Sequence, residues 1–121
     1  MAILSRQIAG PGTTGNNTHA FSEDYDADRF GVQFVIEAVG ATPTVTFILE
    51  GSFDGTNWVA CGYVTDSSSA EAFAALTKTA TGSTFIFLTG PHRFYRRYRV
   101  RVTANTNVTY NCTLCWQERP E

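Results

Sequence analysis

The sequence predicts an all-β protein, an antiparallel β-sandwich or jelly-roll-like fold of about seven strands. Three observations support this fold class. Apolar and polar residues alternate along several segments, turn-forming residues separate these segments at short intervals, and charged residues make up only 17% of a phenylalanine-rich chain. The 121 residues are enough for a domain with its own hydrophobic core.

The clearest element is a hairpin over Thr44–Val64. Its first arm has the period of a strand with one buried face, and the apolar positions are Val45, Phe47, Leu49 and Phe53. Asp54-Gly55 follows and predicts a tight turn, because Gly adopts positive φ without steric cost. A hairpin alone is marginal in water, so other strands must complete the core.

The chain divides by composition into two parts. We expect residues 1–28 to form an extended N-terminal arm, and residues 29–121 to form the β-sandwich domain. Few apolar residues occur in the arm, among them Ile3, Leu4 and Ile8. Two interpretations stay open: the arm contains a short strand that docks on a neighbouring subunit, or it is a frayed terminus.

Four further strands are predicted in the sandwich domain. Three follow from alternation, Arg29–Val39, Phe94–Thr103 and Val108–Gln117, and the fourth, Thr84–Thr89, is apolar on both faces and is therefore predicted to be central. Between them, Ser68-Ser69-Ala70-Glu71 fits a capping box and predicts a short helix over Ala70–Leu76. A strand or a long crossover is the alternative there, since Phe73–Thr81 is rich in threonine.

No motif in the sequence predicts catalysis, a cofactor or a metal site. There is no nucleophile elbow, phosphate-binding loop or dinucleotide fingerprint. Cys112 and Cys115 have the CxxC spacing, but positions three apart on a strand point to opposite faces. Asp24, Asp26 and Asp28 alternate as in a calcium loop, yet Arg29 stands where that loop needs glycine. We therefore expect a protein that is not an enzyme.

The sequence shows no pattern typical of a membrane-spanning segment or a secretory signal. No window of about 18 apolar residues occurs, so no membrane partner is expected. The three cysteines are an odd number and fit reduced thiols in a protein assembled in the cytoplasm.

The predicted strand Phe94–Thr103 carries alternating arginines. These side chains could bind nucleic acid, bind carboxylates of a protein partner, or form a solvated face. The net charge of −2 makes nucleic acid the less favoured partner. The candidate partner-contact residues are Ile3, Leu4, Ile8, Tyr95, Arg97, Arg99 and Arg101.

Two stretches of the chain resemble small β-sandwich proteins in the structural modules of tailed bacteriophages. Residues 50–58, EGSFDGTNW, resemble the G-S-x-D-G-T-x-W hairpin of those proteins. Residues 90–102, GPHRFYRRYRVRV, resemble the aromatic and basic strand that often follows it.

The resemblance implies a virion structural protein, assembled in the host cytoplasm, of the capsid decoration (cement) type. Such a protein would bind the major capsid protein as a homotrimer and hold neighbouring capsomers together through weak contacts that reinforce one another. The alternative is a receptor- or glycan-binding module of a tail or fibre. Trp58, Tyr63 and Tyr95 would then stack on sugar rings.

Overall fold

The computed structural model describes residues 3–22, 27–66, 68–88, 95 and 97–118, and every regular element in these ranges is a β-strand. The strands are β1 Ile3–Thr13, β2 Thr18–Ser22, β3 Ala27–Ser52, β4 Val59–Ala60, β5 Tyr63–Thr65, β6 Ser68–Ala72, β7 Leu76–Lys78, β8 Gly82–Leu88 and β9 Arg97–Glu118. They pair antiparallel in one continuous sheet, which confirms the predicted fold class.

A long ribbon of β3 and β9 runs through the whole sheet. These two strands contain 26 and 22 residues and pair along almost their full length. The pairing register shifts between Val39 and Thr44, where Thr42 and Asn107 adopt positive φ angles of 46° and 54°. The Asn107 Nδ2 donates a 2.7 Å hydrogen bond to the Ala41 carbonyl, so the ribbon is bent and tied at this point.

The bend divides the sheet into two layers. The first layer contains β1, β8, β5 and β6 beside residues 27–39 and 108–118 of the ribbon, and the second contains β2, β4 and β7 beside residues 44–52 and 97–104. Phe34 from the first layer stacks on Phe47 from the second, with ring centroids 3.8 Å apart. The two layers therefore pack face to face, as in a sandwich.

The core lies between these layers and follows the alternation seen in the sequence. Burying one face of each strand removes apolar area from water, which is the main force that stabilises such a fold. The buried apolar side chains of the ribbon and β8 are Val32, Phe34, Ile36, Val45, Phe47, Leu49, Ile86, Leu88, Tyr98, Val100, Val102, Val108, Tyr110, Cys112 and Leu114.

The predicted helix over Ala70–Leu76 is wrong. Ser68–Ala72 forms β6, which pairs with β5, and Leu76–Lys78 forms β7, which pairs with β3. Partner strands on the sheet satisfy these backbone groups, and this tertiary pairing overrides the local capping signal.

The predicted hairpin over Thr44–Val64 is shorter than expected. Only Val59–Ala60 returns beside β3, and β5 crosses to pair with β8 in the first layer. Phe53 was expected on the buried face, but 66% of it is exposed because β3 ends at Ser52.

The N-terminal part of the chain pairs with its own protomer. β1 lies against the second half of β9, and β2 lies against the first half. A docked strand was one of the two interpretations for residues 1–28, and in the described residues its partner is β9. The division into an arm of 1–28 and a domain of 29–121 stays a prediction. Asp24 and Asp26 lie outside the described residues.

Candidate interaction surface

Three arginines line the outer face of the second layer. In β9 the side chains of Tyr98, Val100 and Val102 turn into the core, so the residues between them turn outward. We call Arg97, Arg99 and Arg101 the arginine strip. This is the arrangement that the sequence pattern predicts.

Glu50 holds two arginines of the strip in place. Glu50 belongs to β3 and lies opposite Arg99 of β9, and only 7% of it is exposed. Arg99 Nε donates to Glu50 Oε1 at 2.8 Å, and Arg101 donates from Nε to Oε1 at 2.9 Å and from Nη2 to Oε2 at 3.2 Å. Such charge-assisted hydrogen bonds orient the guanidinium groups.

The two arginines also keep Glu50 ionised. Burial of the carboxyl raises its pKa, but the hydrogen bonds from Arg101 and Arg99 and their positive charges outweigh that effect, so the pKa falls below its ordinary value of 4.5. At neutral pH the strip then carries three positive charges beside one negative charge. The outer face of the second layer is consequently basic, although the whole chain is acidic.

Trp58 supports the same group of side chains. The guanidinium carbon of Arg99 lies 4.2 Å from the centroid of the Trp58 ring, which is a cation–π contact. Arg99 is therefore fixed by a carboxylate and by an aromatic ring, and its side chain is 23% exposed.

The turn after β3 forms one end of the strip. The Asp54 carboxylate accepts hydrogen bonds from the backbone N–H groups of Asn57 and Thr56, the Asn57 side chain and the Ser52 hydroxyl, which together hold its pKa far below the usual range. Gly55 adopts a φ of 80°, which confirms the tight turn predicted from Asp54-Gly55.

Arg97 lies along this turn. A Cβ added to Gly55 would lie 3.0 Å from Arg97 Cδ, so the aliphatic part of Arg97 passes directly over the glycine. Arg97 is exposed and takes no part in the ion pairs that the described residues form. Its charge is the one in the strip that faces water most freely.

The structure brings four of the seven predicted contact residues together. Tyr95 is half-buried beside the strip, with its ring 5.0 Å from Phe53 and 6.0 Å from Tyr98 between centroids. Ile8 lies in the other layer and packs against the core. Ile3 and Leu4 pair with Gln117 and Trp116 through the backbone of β1, and their side chains lie outside the described part.

The aromatic residues considered for sugar stacking are engaged within the protein. Tyr63 is 3% exposed, and its hydroxyl donates a hydrogen bond to the Ala74 carbonyl. One face of Trp58 is covered by Arg99, and Tyr95 packs on its neighbours. Stacking on a sugar would require these contacts to open.

The sequence reasoning missed the role of Glu50. A signal was present, because Glu50 is the one charged residue in the predicted strand Thr44–Phe53. The pairing of that strand with the arginine-bearing strand could not be read from either segment alone. The exposed ring of Phe53 was missed because the end of β3 was placed one residue too late.

The cysteines are separated as the strand argument predicts. Cys112 is fully buried and Cys115 is half-exposed on the other face of β9. Burial raises the pKa of Cys112 to about 12, and burial together with the charge of Glu50 raises that of Cys61 to about 12. In the described part, no group of three or more His, Cys, Asp or Glu side chains could hold a metal ion.

The described ranges also contain no segment of the helical membrane-spanning type. None of them contains a helix that is long and apolar enough to cross a membrane.

Comparison with known proteins identifies a fold but no family. No protein family model matches the sequence, and no curated protein matches it. Among solved structures, the crystal structure of the SPBc2 prophage-derived protein YomS is similar, with a TM-score of 0.68. That structural neighbour comes from a phage. The alignment covers 96% of this chain and 94% of YomS at 8% sequence identity, so the two chains share their fold.

Proposed function

We propose that this chain is a non-enzymatic structural protein of a phage particle, and more specifically a capsid decoration protein. In this role it binds the major capsid protein across neighbouring capsomers and stabilises the shell of the virion. The resemblance of residues 50–58 and 90–102 to such proteins implies a homo-oligomer.

The observation that carries the proposal is the match to YomS, a prophage-derived protein, over nearly the whole of both chains. A small sandwich of this kind acts through its outer surfaces, because its interior is filled by the core.

The arginine strip is the surface that we assign to the shell. Glu50 and Trp58 already hold Arg99, so little side-chain entropy is lost when a partner binds there. Arg97 and the outer edge of Arg101 are open to carboxylates of a neighbouring protein. An acidic partner surface therefore fits the strip.

The first test is the number of copies in purified particles, measured by quantitative mass spectrometry. Hundreds of copies in a fixed ratio to the major shell protein are expected for capsid decoration. Between about three and a dozen copies would place the protein at a tail tip, collar or fibre instead. Absence from the particles would remove the proposal.

The second test compares two arginines in a capsid-binding assay with shells that lack the protein. Arg97→Gln should weaken binding by about tenfold, because it removes an interfacial charge. Arg6→Gln is the matched control, since Arg6 is also exposed but lies on β1 in the other layer. Equal loss of binding in both variants would contradict the assignment of the strip.

Salt dependence separates the capsid from nucleic acid. A nucleic-acid complex held by several arginines would lose affinity steeply with rising salt on any sequence. We expect no such binding to mixed-sequence DNA or RNA at moderate salt. Measurable binding with a steep salt slope would favour a nucleic-acid role for the strip.

A further inference from the structure

The outer face of the first layer differs from the arginine strip in its charge. Five strands, β1, β9, β3, β8 and β5, form this outer face. The described side chains in its central part are uncharged. We call this surface the neutral face, and its main residues are Val64, Phe85, Phe87, Gln33, Val35 and Cys115. Among the described side chains, the charged residues at its rim are Glu37 at one end, Asp66, whose Oδ1 accepts a 3.3 Å hydrogen bond from the Phe85 backbone N–H, and Glu71 on β6.

An apolar row crosses the middle of the neutral face. Phe87 lies opposite both Val64 on β5 and Gly31 on β3, and Gly31 lies opposite Cys115 on β9. A Cβ added to Gly31 would lie 3.3 Å from Phe87 Cδ1, so the ring lies over the glycine backbone. This arrangement makes a low surface that a flat partner can approach.

Two phenyl rings stand out from this surface. Phe85 and Phe87 are 39% and 47% exposed, although Ile86 between them is fully buried. Both belong to a strand in the middle of the layer, where the backbone is paired on both sides. Their exposure does not serve the core of this chain, and clustered exposed apolar rings of this kind mark interaction sites.

We infer that the neutral face binds a second copy of this chain. A two-fold interface places the same surface of each protomer against itself, so a patch of one charge sign meets a patch of the same sign. The arginine strip would oppose three guanidinium groups to three, which is unfavourable. The neutral face can desolvate its phenyl rings while its described charged side chains, Asp66 among them, stay at the rim.

The size of the face fits a pair of chains. Four strands about 4.8 Å apart, each about seven residues long at about 3.3 Å per residue, and the three residues of β5 give a face of roughly 20 by 23 Å. Stable interfaces bury about 800 Å² of accessible surface per partner, which a textured face of that size approaches. Pairing through the first layer leaves both arginine strips on the outside of the pair.

The test is the oligomeric state of the purified chain, measured by light scattering and by sedimentation equilibrium over a range of concentrations. The wild type should have a mass of two chains of 13.3 kDa. Phe85→Thr/Phe87→Thr should raise the dissociation constant at least about a hundredfold, because two buried rings are lost on each side. Threonine is chosen since it also suits strands.

Phe53→Thr is the matched control for lost aromatic area. Phe53 is 66% exposed but lies at the end of the second layer, so the dissociation constant should not change. Circular dichroism and thermal unfolding should show that all variants fold. If Phe53→Thr dissociates the pair as strongly as the double variant, the neutral face is not the interface.

A second variant keeps both rings and adds a charge. Gln33→Lys places a cation in the middle of the neutral face, so each protomer brings an uncompensated positive charge into the interface. The pair should weaken by at least about tenfold and recover in part at high salt, which screens the repulsion. Unchanged association in this variant would contradict the inference.

The inference and the proposed function fail in different ways. A wild type that stays monomeric at about 100 µM would overturn the inference and leave the face to another partner, while the copy number in particles would still decide the function. A pair that dissociates on Arg97→Gln but not on Phe85→Thr/Phe87→Thr would also overturn it. A pair that behaves as expected, but is absent from virions, would support the inference and remove the proposed function.

Discussion

Glu50 is the residue on which the geometry of the arginine strip depends. Glu50→Gln keeps the shape of the side chain but removes the charge that orients Arg99 and Arg101. We expect the free energy of unfolding at pH 7 to fall by about 2 kcal/mol, the usual worth of hydrogen bonds to a charged group. Urea denaturation measures this change, and Glu37→Gln is the control because Glu37 is an exposed hydrogen-bonded carboxylate.

The stability difference between the wild type and Glu50→Gln should also depend on pH. The pKa of Glu50 in the fold lies below its ordinary value of 4.5, so its stabilising effect is complete above pH 4.5 and is lost as pH falls through the lowered pKa. The difference in the free energy of unfolding between the wild type and Glu50→Gln should therefore become smaller below pH 4.5. A difference that stays constant down to pH 3 would show that charge is not its cause.

Gly31 allows two strands of the first layer to approach closely. A Cβ at this position would lie 2.6 Å from the carbonyl oxygen of Ile86, a backbone atom that cannot move without shifting β8. Gly31→Ala should therefore lower the free energy of unfolding by about 2–3 kcal/mol. Gly10→Ala, whose Cβ would meet no atom within 4 Å, should change it by less than about 0.5 kcal/mol in the same urea titration.

At the scale of elements, β2 is held to the sandwich by its ladder with β9 and by one histidine. His19 Nε2 lies 2.8 Å from the hydroxyl of Tyr110, which belongs to the opposite layer. Burial lowers the pKa of His19 below its ordinary value of 6.5, so the fold favours the neutral ring. The stabilising contribution of neutral His19 is then fully present above pH 6.5. It decreases as the pH falls through 6.5 toward the lowered pKa.

The comparison variant for this effect is His19→Gln, which keeps a polar side chain without a titrating ring. Between pH 7.5 and 5.5 the wild type should lose free energy of unfolding relative to the variant, as measured by urea denaturation. Parallel stability profiles would mean that His19 protonation does not oppose folding. Faster exchange of the β2 amides at the lower pH, after correction for intrinsic rates, would locate the loss.

Strands with one buried and one exposed face could be predicted from the sequence. Val32, Phe34 and Ile36 alternate with Gln33, Val35 and Glu37, and the pattern is sufficient to assign the inward face of β3. It failed where pairing decides the structure: β6 has a helix-capping signal, yet its partner β5 makes it a strand.

The candidate site shows the same division. Alternation along one strand was enough to place Arg97, Arg99 and Arg101 on one surface. The carboxylate of Glu50 between them depends on a register between residues about 50 positions apart, which no local pattern contains. Phe85 and Phe87 were assigned to one face of a strand that is apolar on both sides, and the segment alone does not show which of its two faces is exposed.

At the scale of the whole molecule, the sandwich shields two of the three thiols. Cys61 and Cys112 are fully buried with pKa values of about 12, whereas Cys115 is half-exposed. In dilute protein at pH 8, one thiol per chain should react rapidly with a disulfide reagent, since thiolate is the reactive form. The other two should react only at the rate of global unfolding.

The absorbance of the released reagent measures how many thiols react and how fast, and two experiments use it to check this expectation. Cys115→Ser should abolish the rapid phase, and denaturant should expose all three thiols of the wild type. Three rapid thiols in native protein would contradict the packing described between the layers.

The central position of β9 also has a consequence for synthesis of the chain. β9 pairs with β1, β2 and β3, and it begins only at Arg97. While the ribosome is still adding the residues before Arg97, β1 and β2 have already been made but their partner has not. Until β9 has been added, the nascent chain therefore carries unpaired strand edges, and the two layers can close only after β9 has left the exit tunnel.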